Sequence, residues 1–521
     1  MEVRAEKAVM AQTRTSEGRL RVLQVPHLWA FTTYFAEGFP FTLIRTVSSV
    51  FFRDMKVSLE AIGLTSLFGL PWVLKFLWGP QIDQFGTKRS WMLAMQALIV
   101  VFILAVAFLS PMAWALKAIA VILFIGSFVA ATHDMAIDGY YLEALDGKQQ
   151  AQFVGYRVMA YRIAMMTGTG VVVTIGALYG WLMAFLAGGA VMALLFFYHL
   201  FLLPRVEQEK NPASALVRSL FTEKAILLIL SLAVVSALLA WTSSLGWYSG
   251  LFSGYSWLQR ISISGWIGIG LLTGLIILGL LRNRLKRMLT RDKESFYARA
   301  FMTYMDRKSM GVTLAFIILM RAGDAMLSTM VSPFLVDLGI KIHYGWISAG
   351  VGLPSSIAGA MIGGWLISKY GLKKTLWPFL LAQNLTNLVY MVLAVHLAPF
   401  VDLNTGVEIP SSIGQVNLLL VASVHGFDQF AGGLGTAVLV TFIMRTCLSE
   451  FKAAHFAVGT GLMNVSGVLS GVMSGFLAEW AGYGYFFGIS FLVSLPGMVL
   501  AFFAPMGEEP QATDSPGVSQ K

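Results

Sequence analysis

Asp134 and Asp138 stand four residues apart in ATHDMAIDGYYLEAL (131–145), at the end of a long apolar run and with His133 beside them. On a helix that spacing stacks both carboxylates on one face, where they repel unless one holds a proton or a cation lies alongside. Lys75, Arg157 and Arg162 are the cations within reach of such a pair. The reading stays open between a charge clasp at a helix mouth and ligands for a proton or substrate; Glu143 reads as a loop residue. His133 and Asp134 are no catalytic dyad, because neighbours on a helix point about 100° apart and no nucleophile accompanies them.

Two further groups share this character. RAGDA (321–325) sets Arg321 three residues before Asp324, the spacing of an ion pair within one helix. It is either an internal structural pair or a grip on an anionic substrate held in place by its acid. FDQFAGGLG (427–435) puts Asp428 and Gln429 before a glycine cluster where a helix can bend or meet a ligand closely. Burial of a carboxyl favours its protonated form, which makes Asp428 a proton-site candidate. The remaining charges inside apolar runs are Glu37, Arg45 and Arg445; Arg45, Arg157 and Arg445 are expected to snorkel to an interface. No phosphate-binding loop, zinc motif or Cys/His cluster occurs, so the sequence implies no metal, no cofactor and no enzyme.

What positions these residues follows from composition. Of the 521 residues, 57% are hydrophobic and 12% charged, against roughly 25% charged in soluble domains. A charge costs about 2.5–3.5 kcal/mol at the centre of a membrane helix, so those present are expected to face protein or a water-filled cavity. Apolar runs near 27–50, 61–82, 91–110, 115–140, 152–178, 181–203, 225–245, 263–282, 310–332, 346–368, 376–397, 415–445, 453–478 and 484–504 are each long enough to span a bilayer. They do not alternate as barrel strands do, and the fold class is therefore all-α and polytopic. The net charge of +10 need not imply nucleic acid, because most of the 37 Lys and Arg fall on one side of these spans. The outside segments hold Arg53, Lys56, Arg260 and Lys341. The positive-inside rule then places both termini in the cytoplasm. The N-terminus has no cleavable signal pattern and reads as a retained tail, and the single Cys447 gives no disulfide framework.

The spans divide as six, two and six. GPQIDQFGTKR (79–89) and GWLISKYGLKK (364–374) each carry Gly, a second Gly seven residues on, and a basic pair, so the two halves read as copies. The expected organisation is a tail at 1–25, a six-helix bundle at 26–204, a linker at 205–309 with two extra spans, a second bundle at 310–504 and a tail at 505–521. Part of the basic stretch 282–308 either lies along the membrane surface or is a solvated linker. Gly459, Gly467, Gly471 and Gly475 recur at small-residue spacing and are assigned to helix packing.

GLPWVLKFLWGPQID (69–83), ATHDMAIDGYYLEAL, AYRIAMMTG (160–168), RAGDA and FDQFAGGLGTAVLVTFIMRTCLSEFKAAHFAVGTGL (427–462) occur in the order and positions of AmpG-like muropeptide permeases of the major facilitator superfamily. The chain resembles that family over 27–203 and 310–504. The resemblance implies a major facilitator fold of two six-helix bundles around a central cavity, with two inserted transmembrane helices, working by alternating access. It implies proton symport of anhydromuropeptides across the bacterial inner membrane for peptidoglycan recycling, with lipid as the other partner. It places substrate contacts at Lys75, Arg162, Arg321 and Gln429, and proton coupling at Asp134, Asp138, Asp324 and Asp428. The loop after the second span resembles a conformational latch formed by Gly79, Asp83, Gly86, Lys88 and Arg89. His133, Gln84 and the Asp428–Gln429 pair depart from the family's pattern. A carrier of acetyl-CoA or another organic anion, and a non-transporting membrane sensor, are the alternatives.

Overall fold

The computed structural model describes residues 25–75, 78–206, 309–398, 417–447 and 452–505, two short strands at 401–402 and 407–408, and isolated positions between 212 and 304. The inserted span 225–245, most of the span 263–282 and of the basic stretch 282–308, and nearly all of both tails lie outside the described residues.

Helices follow the apolar runs closely. α1 (Pro26–Thr42) begins with Pro in its first turn, where no backbone donor is needed, and passes through a π-helical turn (Leu43–Val47) into α2 (Ser48–Asp54). Pro40 lacks the N–H that would bond to the Ala36 carbonyl one turn earlier in α1, and the π-helical turn begins three residues after it. α3 (Leu59–Leu64) and α4 (Leu70–Leu74) are joined by a tight 3₁₀ segment, and α3 is capped by the Ser58 hydroxyl. After α5 (Gly79–Gln84) come α6 (Lys88–Leu109), α7 (Leu116–Ala144), α8 (Gly147–Met166), α9 (Val173–Tyr179) and α10 (Trp181–Leu202). Capping boxes at Thr87/Ser90 and Asp146/Gln149 start α6 and α8 by occupying backbone donors that have no partner within the helix.

The later helices are α11 (Met310–Leu319), α12 (Ala322–Asp337), α13 (Leu353–Tyr370), α14 (Leu372–Leu397), α15 (Leu418–Arg445) and α16 (Lys452–Leu500). α16 is two helices run together across Gly482, whose φ of +72° breaks the helical path between the spans expected at 453–478 and 484–504. Strands β1 (Val401–Asp402) and β2 (Val407–Glu408) pair antiparallel between α14 and α15, a small departure from an all-helical chain. Among the described residues nine helices or merged helices are long and apolar enough to cross a membrane. Large apolar side chains such as Phe108, Trp114, Tyr179, Met361, Trp480 and Val499 stand exposed on them, as lipid-facing surface requires.

Contacts divide the described residues into two compact units. The first takes those within 1–44, 74–168 and 179–262, and the second those within 45–73, 169–178 and 263–521. In the first, α1 packs on α7 and α8, and α6 on α7 and α10, around Trp29, Tyr34, Met92, Ile137 and Tyr140. In the second, α13, α14 and α16 pack with α15, α12 and one another around Phe316, Leu380, Leu439 and Phe442. α2 and α3, although early in the chain, pack on α12 and α16 within this second unit.

The repeated loop motif has a backbone reason. The second glycine of each copy, Gly86 and Gly371, holds φ of +64° and +83°, a conformation in which L side chains are strained. Each such glycine turns the chain directly before a helix, α6 in one copy and α14 in the other.

Candidate functional site

In the first unit, α7 presents Asp134 and Asp138 one turn apart, as their spacing requires. Lys75, immediately after α4, forms an ion pair with Asp134. Arg157 of α8 reaches Asp138 at 2.8 Å, and the Tyr34 hydroxyl of α1 donates to the same oxygen at 2.9 Å. The Arg157 guanidinium also lies 4.3 Å over the Tyr34 ring and 5.2 Å from that of Tyr141, so charge and ring stacking fix it together. Arg157 is thus a partner of the acid pair. The sequence offered it to the acids as one of three cations. Arg45 likewise turns inward, donating to the Ser66 carbonyl at 2.7 Å.

Glu37 of α1 completes this cluster. Its carboxyl lies within hydrogen-bond range of Asp134 and close to Asp138, and its Oε2 is shut off from solvent with no partner among the described residues. His133 is buried with both ring nitrogens unpartnered among the described residues. Arg162 directs Nη1 toward the Met165 sulfur at 4.0 Å.

The loop residues are held as structural pieces. Gly79 starts α5, and Lys88 donates to the Ile82 carbonyl at 3.0 Å while its stem lies against Gly139 of α7. Arg89 donates to the carbonyls of Leu200 at 2.7 Å, Leu203 at 3.1 Å and His199 at 3.2 Å, tying the start of α6 to the end of α10. The Asp83 side chain lies outside the described residues.

In the second unit, the helical path breaks at Arg321, which immediately precedes α12. Asp324 then falls in the first turn of α12, where exposed backbone N–H groups favour an acid. The Arg321 guanidinium grips Asp324 Oδ2 through Nη2 at 2.6 Å and Nε at 3.0 Å. Gly432 of α15 faces Asp324, since a β-carbon there would sit 3.6 Å from Oδ1. Asp428 is buried; Gln429 donates to its Oδ2 at 3.2 Å, and Oδ1 is unpartnered among the described residues. Nearby on α14 and α15, Tyr390 and His425 share a hydrogen bond of 2.9 Å. α14 also buries Gln383 and Asn387 with their amides unpartnered among the described residues. That polar stripe lies within a strongly apolar run, and the sequence reading passed over it.

Both clusters combine buried acids with cations that keep a partial opening to solvent: Lys75 and Arg321 are 32% and 25% exposed, their acids 10% and 5%. No group of three or more metal-ligating His, Cys, Asp or Glu side chains occurs among the described residues. The sequence profile of the Major Facilitator Superfamily matches residues 30–320. The chain belongs to that superfamily. Among curated relatives, the Anhydromuropeptide permease of Escherichia coli (strain K12) is 24% identical over 497 residues, covering 92% of this chain and 80% of the relative. An uncharacterized protein of Haemophilus influenzae is 24% identical, covering 93% and 95%. Putative transporter AmpG 4 of Rickettsia conorii is 22% identical, covering 89% and 93%. Of solved structures, the nucleoside transporter NupG aligns over 92% of this chain and 98% of its own with a TM-score of 0.56 at 14% identity. The peptide transporter POT in complex with sulfate aligns over 92% and 94% with a TM-score of 0.61 at 13% identity. These structures share the fold. The chain is a multi-pass membrane transporter of that superfamily, and it is similar over most of its length to proteins named as AmpG-type permeases.

Proposed function

We propose that this permease imports anhydromuropeptides into the cytoplasm in symport with protons, as a multi-pass protein of the bacterial inner membrane with both termini inside. The observation that carries the reading is the pairing of a partly exposed cation with a nearly buried acid at Lys75–Asp134 and again at Arg321–Asp324. In each pair the acid fixes the cation, and the exposed edge of the cation remains open to a carboxylate of the substrate. The peptide of a muropeptide supplies such carboxylates. Lys75, Arg162 and Arg321 are the anion-binding residues of this reading, and Gln429 offers an amide to sugar hydroxyls. Asp134, Asp138, Asp324 and Asp428 are its proton-coupling acids. The relative named as an anhydromuropeptide permease, matched over most of both chains, supports the substrate class.

The test is uptake of labelled anhydromuropeptide into vesicles holding the purified protein, with and without an inward proton gradient. Accumulation above the outside concentration is expected only with the gradient. It should be competed by unlabelled muropeptide and not by a CoA ester. Accumulation of the CoA ester instead would move the assignment to an organic-anion carrier. A folded protein that accumulates neither would be a membrane sensor.

A further inference from the structure

The charges around Asp134 do not balance unless one acid carries a proton. Three carboxyls meet there, Glu37, Asp134 and Asp138, with two cations, Lys75 and Arg157. Lys75 is committed to Asp134, and Arg157 together with the Tyr34 hydroxyl is committed to Asp138. Glu37 is the acid left over. It meets Asp134 within hydrogen-bond range, and two carboxyls in that relation are attractive only when a proton lies between them. Because Lys75 holds the negative charge on Asp134, the proton belongs to Glu37. The other helices packed on α1 bring no further cation to the Glu37 carboxyl among the interactions described: α8 brings Arg157, while its Arg162 is directed to the Met165 sulfur instead; α7 brings Asp134, Asp138 and His133, whose ring nitrogens are unpartnered among the described residues, and His199 of α10 is occupied with Gln96 and Thr32.

We propose that Glu37 carries the coupled proton in the first unit, in an acid pair with Asp134. This rests on the proton-symport reading above and refines it: in the first unit Asp134 and Asp138 stay ionised against Lys75 and Arg157 and set the charge balance, while Glu37, outside the four acids assigned there, takes the proton. The linkage to substrate follows from charge. With Glu37 protonated the cluster is neutral, and the exposed side of Lys75 is available to a substrate carboxylate. With Glu37 ionised the cluster holds one uncompensated negative charge, which draws on Lys75 and repels the substrate anion. Proton and anion therefore bind together and leave together, which is what symport requires.

Glu37→Gln keeps the size and neutrality of the protonated acid while removing the exchangeable proton. An inward gradient of one pH unit sustains about tenfold accumulation per coupled proton. In wild-type vesicles the labelled anhydromuropeptide should accumulate by at least that factor. In Glu37→Gln it should equilibrate to a ratio of about one, with counterflow exchange of labelled for unlabelled substrate retained. Gradient-driven accumulation in both proteins overturns the role of Glu37 and leaves symport standing. Accumulation in neither overturns the symport reading itself. A second measurement is independent of substrate. The infrared carboxylic-acid C=O band of the purified protein should lose amplitude in Glu37→Gln and shift in Glu37→Asp, and a band unchanged in both variants overturns the assignment.

Discussion

At the scale of single residues, the Lys75–Asp134 pair is a mutual dependence. Asp134 is buried and Lys75 is about one-third exposed, so the acid suffers more from losing its partner than the lysine does. Removing one member of a buried pair costs about 3–5 kcal/mol, because the other is left charged in a poor solvent, whereas removing both costs far less. Lys75→Ala is therefore expected to lower stability by about 3 kcal/mol, and Lys75→Ala/Asp134→Ala to recover part of that loss. Thermal unfolding in detergent measures both; equal melting temperatures for the single and double variants would show that the pair is not coupled. The sequence made these residues visible as charges inside apolar runs, and helix periodicity put Asp134 over Asp138. It did not pair them, because their partners come from other helices and helical spacing speaks only of its own. Arg321–Asp324 was legible to the partner, since both members lie on one turn. Glu37 was visible as a buried charge, but its meaning depends on which acids already have cations, a question only the packing answers.

Elements were more legible than partners. The expected spans other than the inserted pair fall on described helical segments, the one expected at 61–82 in separate pieces at 59–74 and 79–84, because long apolar runs leave the backbone no choice but to bond within itself. What the apolar pattern does not encode is the interruption of a helix: the π-helical turns at Leu43–Val47, Thr167–Val172 and Trp346–Gly352, and the break at Arg321. The glycine stripe of the first helix of α16 was read correctly in part. Gly475 meets the backbone of Gly63 and Gly471 the side chain of Ser66, each too close for a β-carbon, whereas Gly467 faces open space. A comparable close approach joins α13 to α15, where a β-carbon on Gly359 would overlap the Phe430 carbonyl oxygen. That oxygen belongs to a helix backbone and cannot step aside alone. Gly359→Ala is expected to destabilise the permease by about 1–3 kcal/mol through overpacking. Gly364→Ala, on the same helix with nothing within 4 Å, should leave the melting temperature unchanged or slightly raised. Equal effects at the two positions would mean that α13 and α15 do not approach as closely as described.

At the scale of the whole molecule, a transporter that alternates access must make and break contacts between parts that are distant in the chain. The second unit holds such contacts in ionic form. Arg53 of α2 pairs with Asp337 of α12 at 2.6 Å, and Tyr483 donates to the same carboxylate at 2.6 Å. Asp54 pairs with Lys341 at 2.8 Å, and Glu479 accepts from the backbone N–H of Leu59, also at 2.8 Å. Residues of the first sequence half are thereby tied to residues of the second, at the end that is periplasmic in the orientation proposed. The sequence placed Arg53 and Lys341 merely among outside charges. Alternating access requires this contact to open, so weakening it should favour the open state. Removing Arg53 alone would strand Asp337 and confuse opening with unfolding, which makes Arg53→Ala/Asp337→Ala the informative change. A loss of about 1.4 kcal/mol of net stabilisation shifts the population tenfold. With Cys447→Ser removing the only cysteine, Ser49→Cys reports on α2 one turn before Arg53. Its labelling by a membrane-impermeant maleimide should then quicken by about tenfold in the double variant. Unchanged labelling in a folded protein would make the Arg53–Asp337–Tyr483 group a fixed structural tie, and the opening of this end would have to be sought in contacts that carry no charge.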